Sequence, residues 1–398
     1  MTPLQGIKVL DLSRVLAGPW CTQLLADLGA EVIKIERPGQ GDDTRHWGPP
    51  WHGEGESRVA AYFLSCNRGK KSAAIDFAQP DGAALVRKLA AEADVVVENF
   101  KVGGLVKFGL DAASLRAANP RLIYASITGF GQDGPYADRA GYDFIIQGMG
   151  GMMSITGIPD GEPGGGPMRA GVAVVDLFTG MYGCVAILSA LYARERTGEG
   201  AIIDMALFDT QLAMLANQAS NLLVSGKDPP RQGNTHPNIV PYQPFDAADQ
   251  PIIIAVGNDR QFARLAEICG HPEWPAEERF ATNAARVAHR AELVALVSET
   301  IGQRPAAAWL EQLEAAGIPA GPINRISQAL SDVQAQHRQM VRSIAGVPLV
   351  GSPVRLNGER ADSDLPPPQL GEHSGEVLAA LGLAPDEVDR LRAAKVVG

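Results

Sequence analysis

Short β-branched runs and amphipathic segments alternate through the first third of the chain. Residues 7–12 (IKVLDL) form a strand-like run. Residues 21–28 then follow helical spacing, and Gly29 is placed to end that helix. A second strand is predicted over residues 31–36 (EVIKIE), a helix over 80–93, and further strands at 94–97 and 122–127. Strands alternating with helices predict βαβ units and a mainly parallel sheet, which binds ligands at the carboxyl ends of its strands. Segments rich in Gly and Pro at 38–55, 129–135 and 158–167 read as loops. A long buried helix is expected at 184–194, a Gly break at 198–200 and a strand at 201–207. The polar stretch GKDPPRQGNTHPN after Ser225 reads as a linker. A strand at 251–256 and Ala- and Glu-rich helical segments then predict a smaller α+β unit. The expected organisation is a large domain over 1–224, a small domain over 225–325 and a segment over 326–398 that returns to the large domain.

The chain has 398 residues, enough for two domains. Its net charge of −10 argues against a nucleic-acid binder, so basic residues for an anionic ligand must be local clusters. The four cysteines, Cys21, Cys66, Cys184 and Cys269, form no CxxC pair; a zinc site is not expected, and a reducing compartment, the cytoplasm, is. The N-terminus has neither the basic nor the apolar segment of a signal peptide. Residues 171–192 are long enough to span a bilayer, but they carry Asp176, and an uncompensated carboxylate is costly in lipid. A core helix is the expectation, with no membrane partner.

Several chemistries can be weighed on the residues. The turn after the first strand, SRVLAGPW, lacks the GxGxxG needed for a nicotinamide pyrophosphate, and no P-loop, HExxH or GxSxG occurs. A basic set, Arg14, Lys34, Arg37, Arg45, Arg68, Lys70 and Lys71, reads either as a solvated surface or as a phosphate cradle. Arg37 follows a predicted strand, and Arg68–Lys71 (RGKK) reads as a compact basic loop. Asp176 lies near the start of an apolar helix. Local pattern favours an N-cap there. The alternative is a partly desolvated nucleophile kept ionised by nearby helix N–H groups. His46, His52, His236 and His373 show no metal-ligand spacing.

The motifs taken jointly resemble one family. The opening PLQGIKVLDLSRVLAGPWCTQLLADLGAEVIKIERPGQGDDTR, NRGKKS at 67–72, VVENF at 96–100 with GLVKFGLD, ASITGFGQDGPY at 125–136, GYDFIIQGMGGMMSITG at 141–157 and DLFTGMYG at 176–183 are similar to the class III CoA-transferases (CaiB/BaiF, formyl-CoA-transferase-like). GIPAGPIN and LGEHSGEVLAALGL extend the resemblance almost to the C-terminus. It implies an α/β fold with a Rossmann-like large domain, a small domain and an interlocked homodimer. It also implies CoA or acyl-CoA as substrate, with no permanently bound cofactor. Asp176 matches the catalytic aspartate, and Arg14, Ala17, Arg37, Asn99, Phe100, Lys107 and Tyr142 match positions that line the CoA site; Arg68 and Lys71 are added from the basic loop.

Two departures narrow the chemistry. The segment QGNTHPNIVPYQ lacks the glycine run of formyl-CoA transferases, which weighs against an oxalate-type reaction. The triplet Gly141-Tyr142-Asp143 lacks the His of the racemase branch, so two-base epimerisation is short of one base. The pattern most resembles enzymes that use succinyl-CoA and a dicarboxylic acid such as glutarate. Arg45 and Arg169 are the candidates for its distal carboxylate.

Overall fold

The computed structural model describes residues 2–398. The expected alternation folds into six parallel strands: β1 (Lys8–Asp11), β2 (Glu31–Glu36), β3 (Lys70–Ala74), β4 (Val95–Glu98), β5 (Ile123–Thr128) and β6 (Ile202–Ala206). Their spatial order is β6-β5-β4-β1-β2-β3, with every pair parallel. The chain therefore reverses its winding between β1 and β4, and the crevice at their carboxyl ends is the place where such sheets take ligands. Apolar side chains pack on both faces of the sheet. One face carries α1 (Ala17–Asp27) and Val175, Ile187 and Leu191; the other carries α2 (Pro80–Glu92) and Val377, Leu378 and Leu391.

β3 is the strand of this sheet that pattern reading misses. Its sequence KKSAA has no apolar alternation, and its two lysines suggest a loop. Lys70 is nonetheless fully buried, because its ammonium pairs with Asp11 at 3.0 Å. The outer side of β3 is closed by the C-terminal segment. Ala74 N–H donates to Ser374 Oγ, Gly398 N–H to Ala74 O, and Asp76 N–H to Val396 O.

Short helix α3 (Asp143–Met149) precedes α4 (Val174–Thr197). The latter runs antiparallel to the strands. Its last turn is anchored at the amino edge of the sheet, where Arg194 donates to Asp94 at 2.8 Å. Twenty-four residues at about 1.5 Å each carry its start back to the carboxyl edge. α4 lies very close to α1 because small residues face it. A Cβ on Gly180 would stand 2.5 Å from Ala17 O. Among the described residues α4 is the one helix long and apolar enough to cross a membrane.

The chain divides into two compact units. The larger comprises residues up to Met152, Arg169–Asp228 and Val333–Gly398; the smaller comprises Met153–Met168 and Pro229–Asp332. The smaller therefore takes in residues 153–168, which lie outside the 225–325 span read from composition. Arg231 supplies the physical link: it donates to Ser154 O and Ile158 O and pairs with Asp160. The core of this unit is a three-stranded antiparallel sheet, β7 (Tyr242–Asp246), β8 (Pro251–Ala255) and β9 (Ala320–Pro322), covered by helices that bury Phe262, Trp309 and Leu313.

Candidate active site

Asp176 is the third residue of α4 and is partly buried. The N-cap position belongs to Ala173, which has no side chain able to cap. Asp143, the first residue of α3, supplies the cap from another element. Its Oδ2 accepts from Val175 N–H at 2.8 Å and from Asp176 N–H at 3.2 Å. Gln147, one turn along α3, donates to Asp143 Oδ1 at 2.6 Å and accepts from Ala170 N–H at 2.9 Å. One face of α3 thus holds both the start of α4 and the loop leading into it.

With the capping done by Asp143, the Asp176 carboxylate makes no hydrogen bond or ion pair among the described residues. Burial, and then the neighbouring Asp143 charge, push its pKa up to about 7. The expectation that helix N–H groups keep Asp176 fully ionised is corrected: another carboxylate occupies two of them and adds a like charge. Tyr62 lies close enough to respond. Burial first, then Asp176, raises its phenol to about 12, so its hydroxyl remains a donor at neutral pH. The Tyr62 ring meets Trp47 edge to face at 5.2 Å.

The carboxyl ends of β1 and β4 bring several expected residues together. Arg14 N–H donates to Asn99 Oδ1 at 2.8 Å, and Asn99 Nδ2 returns a bond to Arg14 O at 2.6 Å. The Arg14 guanidinium lies 5.5 Å from the Phe100 ring centre and pairs with Asp43. Ala17 opens α1 beside Gly180, one turn past Asp176. Arg37 is exposed directly after β2, Lys107 is exposed against the Phe108 ring, and Tyr142 is 65% exposed immediately before α3. Neither Arg37 nor Lys107 forms an ion pair among the described residues.

Beneath the β1 turn lies a buried ionic layer. Lys34 pairs with Asp42 at 2.9 Å and donates to Ser13 O, while Lys70 pairs with Asp11. Burial works against the Asp11 carboxylate, but Lys70, Lys34 and two hydroxyl donors hold it down at about 2. Asp42 also accepts from Val15 N–H, which fixes Val15 at φ +72°, a conformation costly for a β-branched residue. The turn bearing Arg14 and Ala17 is therefore held rigidly from below.

Three expected site residues lie elsewhere. Arg68 is buried and spans Asp27 at 2.7 Å and Asp362 at 2.8 Å, clasping the C-terminal segment. Lys71 bridges Glu31 and Glu376 at the amino edge, where it lines a cavity of about 110 Å³. The reading of RGKK as a phosphate loop is corrected: its basic groups lie at the wrong edge of the sheet or are internally paired. Arg45 is also corrected as a substrate residue. It grips Glu36 with two bonds, at 2.7 and 2.8 Å, and stacks 3.7 Å over Phe63. Arg169 is exposed, 5.7 Å from the Phe144 ring, and enters the loop before α4. Asp143, Gln147 and Tyr62 were not foreseen. The only local sign was an Asp and a Gln one helical turn apart.

Among the described residues this carboxylate stands unpaired near the carboxyl ends of the parallel strands, one turn before Gly180 meets Ala17. The chain belongs to CoA-transferase family III, whose profile matches residues 4–374, and it is a class III CoA-transferase that uses CoA thioesters as substrates. It is 52% identical to a succinate–glutarate CoA-transferase of Agrobacterium fabrum over 95% of this chain and 96% of that one. It is 43% identical to a succinyl-CoA:glutarate CoA-transferase of Mus musculus, over 95% and 86%. A crystal structure of a CaiB/BaiF family protein from Brucella suis superposes with a TM-score of 0.85 at 54% identity, covering 96% of this chain and 99% of that one.

Proposed function

We propose that the enzyme moves CoA from succinyl-CoA to a dicarboxylic acid of glutarate type, with Asp176 as nucleophile. The observation that carries the mechanism is the unpaired Asp176 carboxylate at the carboxyl edge of the sheet. The 52% identical relative named for succinate and glutarate supports the substrates. The ionised form of Asp176 attacks the thioester carbonyl carbon; the C–S bond breaks and CoA leaves as thiolate, giving a mixed anhydride. The thiolate attacks the aspartyl carbonyl, the anhydride C–O bond breaks, and the donor acid departs as a carboxylate. The acceptor carboxylate then attacks the aspartyl-CoA thioester and releases the thiolate again. That thiolate attacks the acceptor's acyl carbon and frees Asp176. No water enters and no net proton moves, so the intermediates must be shielded from hydrolysis.

Arg14, Ala17, Arg37, Asn99, Phe100, Lys107 and Tyr142 are assigned to the CoA site. Their position at or near the β1–β4 crevice and the two unpaired cations support this. Arg169 is assigned to the distal carboxylate of the acceptor. The outer side of α4 exposes Met181, Tyr182, Val185 and Tyr192, an apolar face that supports burial against a second copy in a homodimer; light scattering on the purified protein reads its mass. Four unpaired cysteines support a cytoplasmic location.

The mechanistic test is intact-protein mass spectrometry after mixing with succinyl-CoA, followed by hydroxylamine trapping. An adduct that maps to Asp176 and disappears in Asp176→Ala is the expected result, with turnover reduced by at least about a thousandfold and CoA binding retained. Transfer that survives in the variant rejects the nucleophile assignment.

A further inference from the structure

We infer that Asp143 is a positioning residue that sets the basicity and orientation of Asp176 by capping α4 from a different helix. This rests on Asp176 being the nucleophile. An Asp near a helix start ordinarily gains from free N–H groups and the helix dipole, which favour its charged, weakly basic form. Here the N–H groups of Val175 and Asp176 are both committed to Asp143 Oδ2. The cap is itself an anion, 8% exposed, and its other oxygen is fixed by Gln147. Gln147 in turn holds Ala170 N–H, so the residues before Asp176 are tied to the same face of α3.

The groups facing Asp176 are Asp143 from α3 and the Tyr62 phenol from the short helix Ala61–Leu64. α1 presents Ala17, Trp20 and Cys21 to this stretch of α4, and Cys21 is neutral because burial raises its thiol well above neutral pH. No cation faces Asp176 to oppose the Asp143 charge among the described residues. A more basic carboxylate is a stronger nucleophile toward a thioester, provided that it remains ionised near neutral pH. An anionic cap provides that balance, and a neutral Ser or Asn cap does not.

The test compares the pH dependence of kcat/KM for succinyl-CoA in wild type, Asp143→Asn and Asp143→Asn/Gln147→Glu. The single variant keeps an oxygen for the helix N–H groups but removes the charge. Its amide NH₂ then faces Gln147, which must turn and leave Ala170 N–H opposite a donor. Glu at 147 supplies acceptors to both and shifts the negative charge one turn away from Asp176. The expected result is an acid limb lower by about one pH unit in Asp143→Asn. kcat falls in that variant and partly recovers in the double variant, whose limb stays below that of wild type. An unchanged acid limb in both folded variants overturns the inference. The difference infrared spectrum of wild type against Asp176→Asn follows the Asp176 carboxyl directly. An Asp176 titration that shifts with Asp143→Asn while Asp176→Asn still transfers CoA would sink the nucleophile assignment and leave the electrostatic coupling standing.

Discussion

Two aspartates near the carboxyl edge of the same sheet have opposite fates. Asp11 is completely buried, yet Lys70, Lys34, Ser13 and Thr22 surround it and its acidity is strengthened to about 2. Asp176 keeps more access to solvent but has no cation or donor among the described residues; burial, and then the charge of another carboxylate, weaken its acidity to about 7. Burial acts in the same direction on both. The partners decide the sign, and they separate a carboxylate that holds a turn in place from one left available for chemistry. Arg45–Glu36 belongs with Asp11: burial works against the Glu36 carboxylate, but Arg45 and Lys34 hold it below its ordinary value. Arg68–Asp27 is also a buried pair that ties distant segments together, yet there burial outweighs the guanidinium and Asp27 is raised.

The largest effect that would break this comparison is on the structural side. Lys70→Met leaves the Asp11 charge buried with its nearest cation gone and should cost about 3–5 kcal/mol in urea unfolding. The double variant Lys70→Met/Asp11→Asn should recover part of that loss, because it leaves no unpaired carboxylate charge and the Asn oxygen still accepts from Ser13. A single variant as stable as wild type would mean that Lys34 alone sustains Asp11.

A smaller effect of opposite sign is expected at Asp176. Its carboxyl pKa is raised in the folded state from an ordinary 3.8 to about 7. The folded state therefore holds this proton more tightly than the unfolded chain does. The associated stability is fully present below about pH 4 and is lost as pH rises through 7. Asp176→Asn, which cannot ionise, should gain little over wild type at pH 4. By pH 8 it should gain up to a few kcal/mol, read as a growing difference in Tm. A difference that is flat across this range would place the Asp176 carboxyl at its ordinary value.

Much of the fold was legible because β-branched runs such as EVIKIE and VVVE leave a strong pattern, and all the strands so predicted in the first 207 residues are present. β3 was hidden because its lysines are neutralised by acidic groups far away in sequence, Asp11 for Lys70 and Glu376 for Lys71, which no local window reveals. The same cause misplaced Arg45, Arg68 and Lys71: charge clusters are visible in a sequence, but their partners are not. Asp176 stood out by resemblance, while the local rule assigned it the capping role that Asp143 performs from 33 residues upstream. Capping across helices is a tertiary contact, and its sequence trace, Asp143 with Gln147, is too common to signal anything alone.

The smallest expected effect sharpens the comparison at the exposed end of the crevice. Arg37 follows β2 with no ion-pair partner among the described residues, unlike the buried Arg45 eight residues later. If it meets a CoA phosphate, the contact is solvent-exposed and screened, worth about 1 kcal/mol. Arg37→Ala should then raise KM for succinyl-CoA roughly fivefold at low salt and less at high salt, with kcat unchanged. The succinyl thioester of pantetheine has no nucleotide phosphates, so wild type and variant should handle it equally. An equal loss with both thioesters would move Arg37 from phosphate binding to the shape of the crevice, and a change in kcat would bring it into the reaction itself.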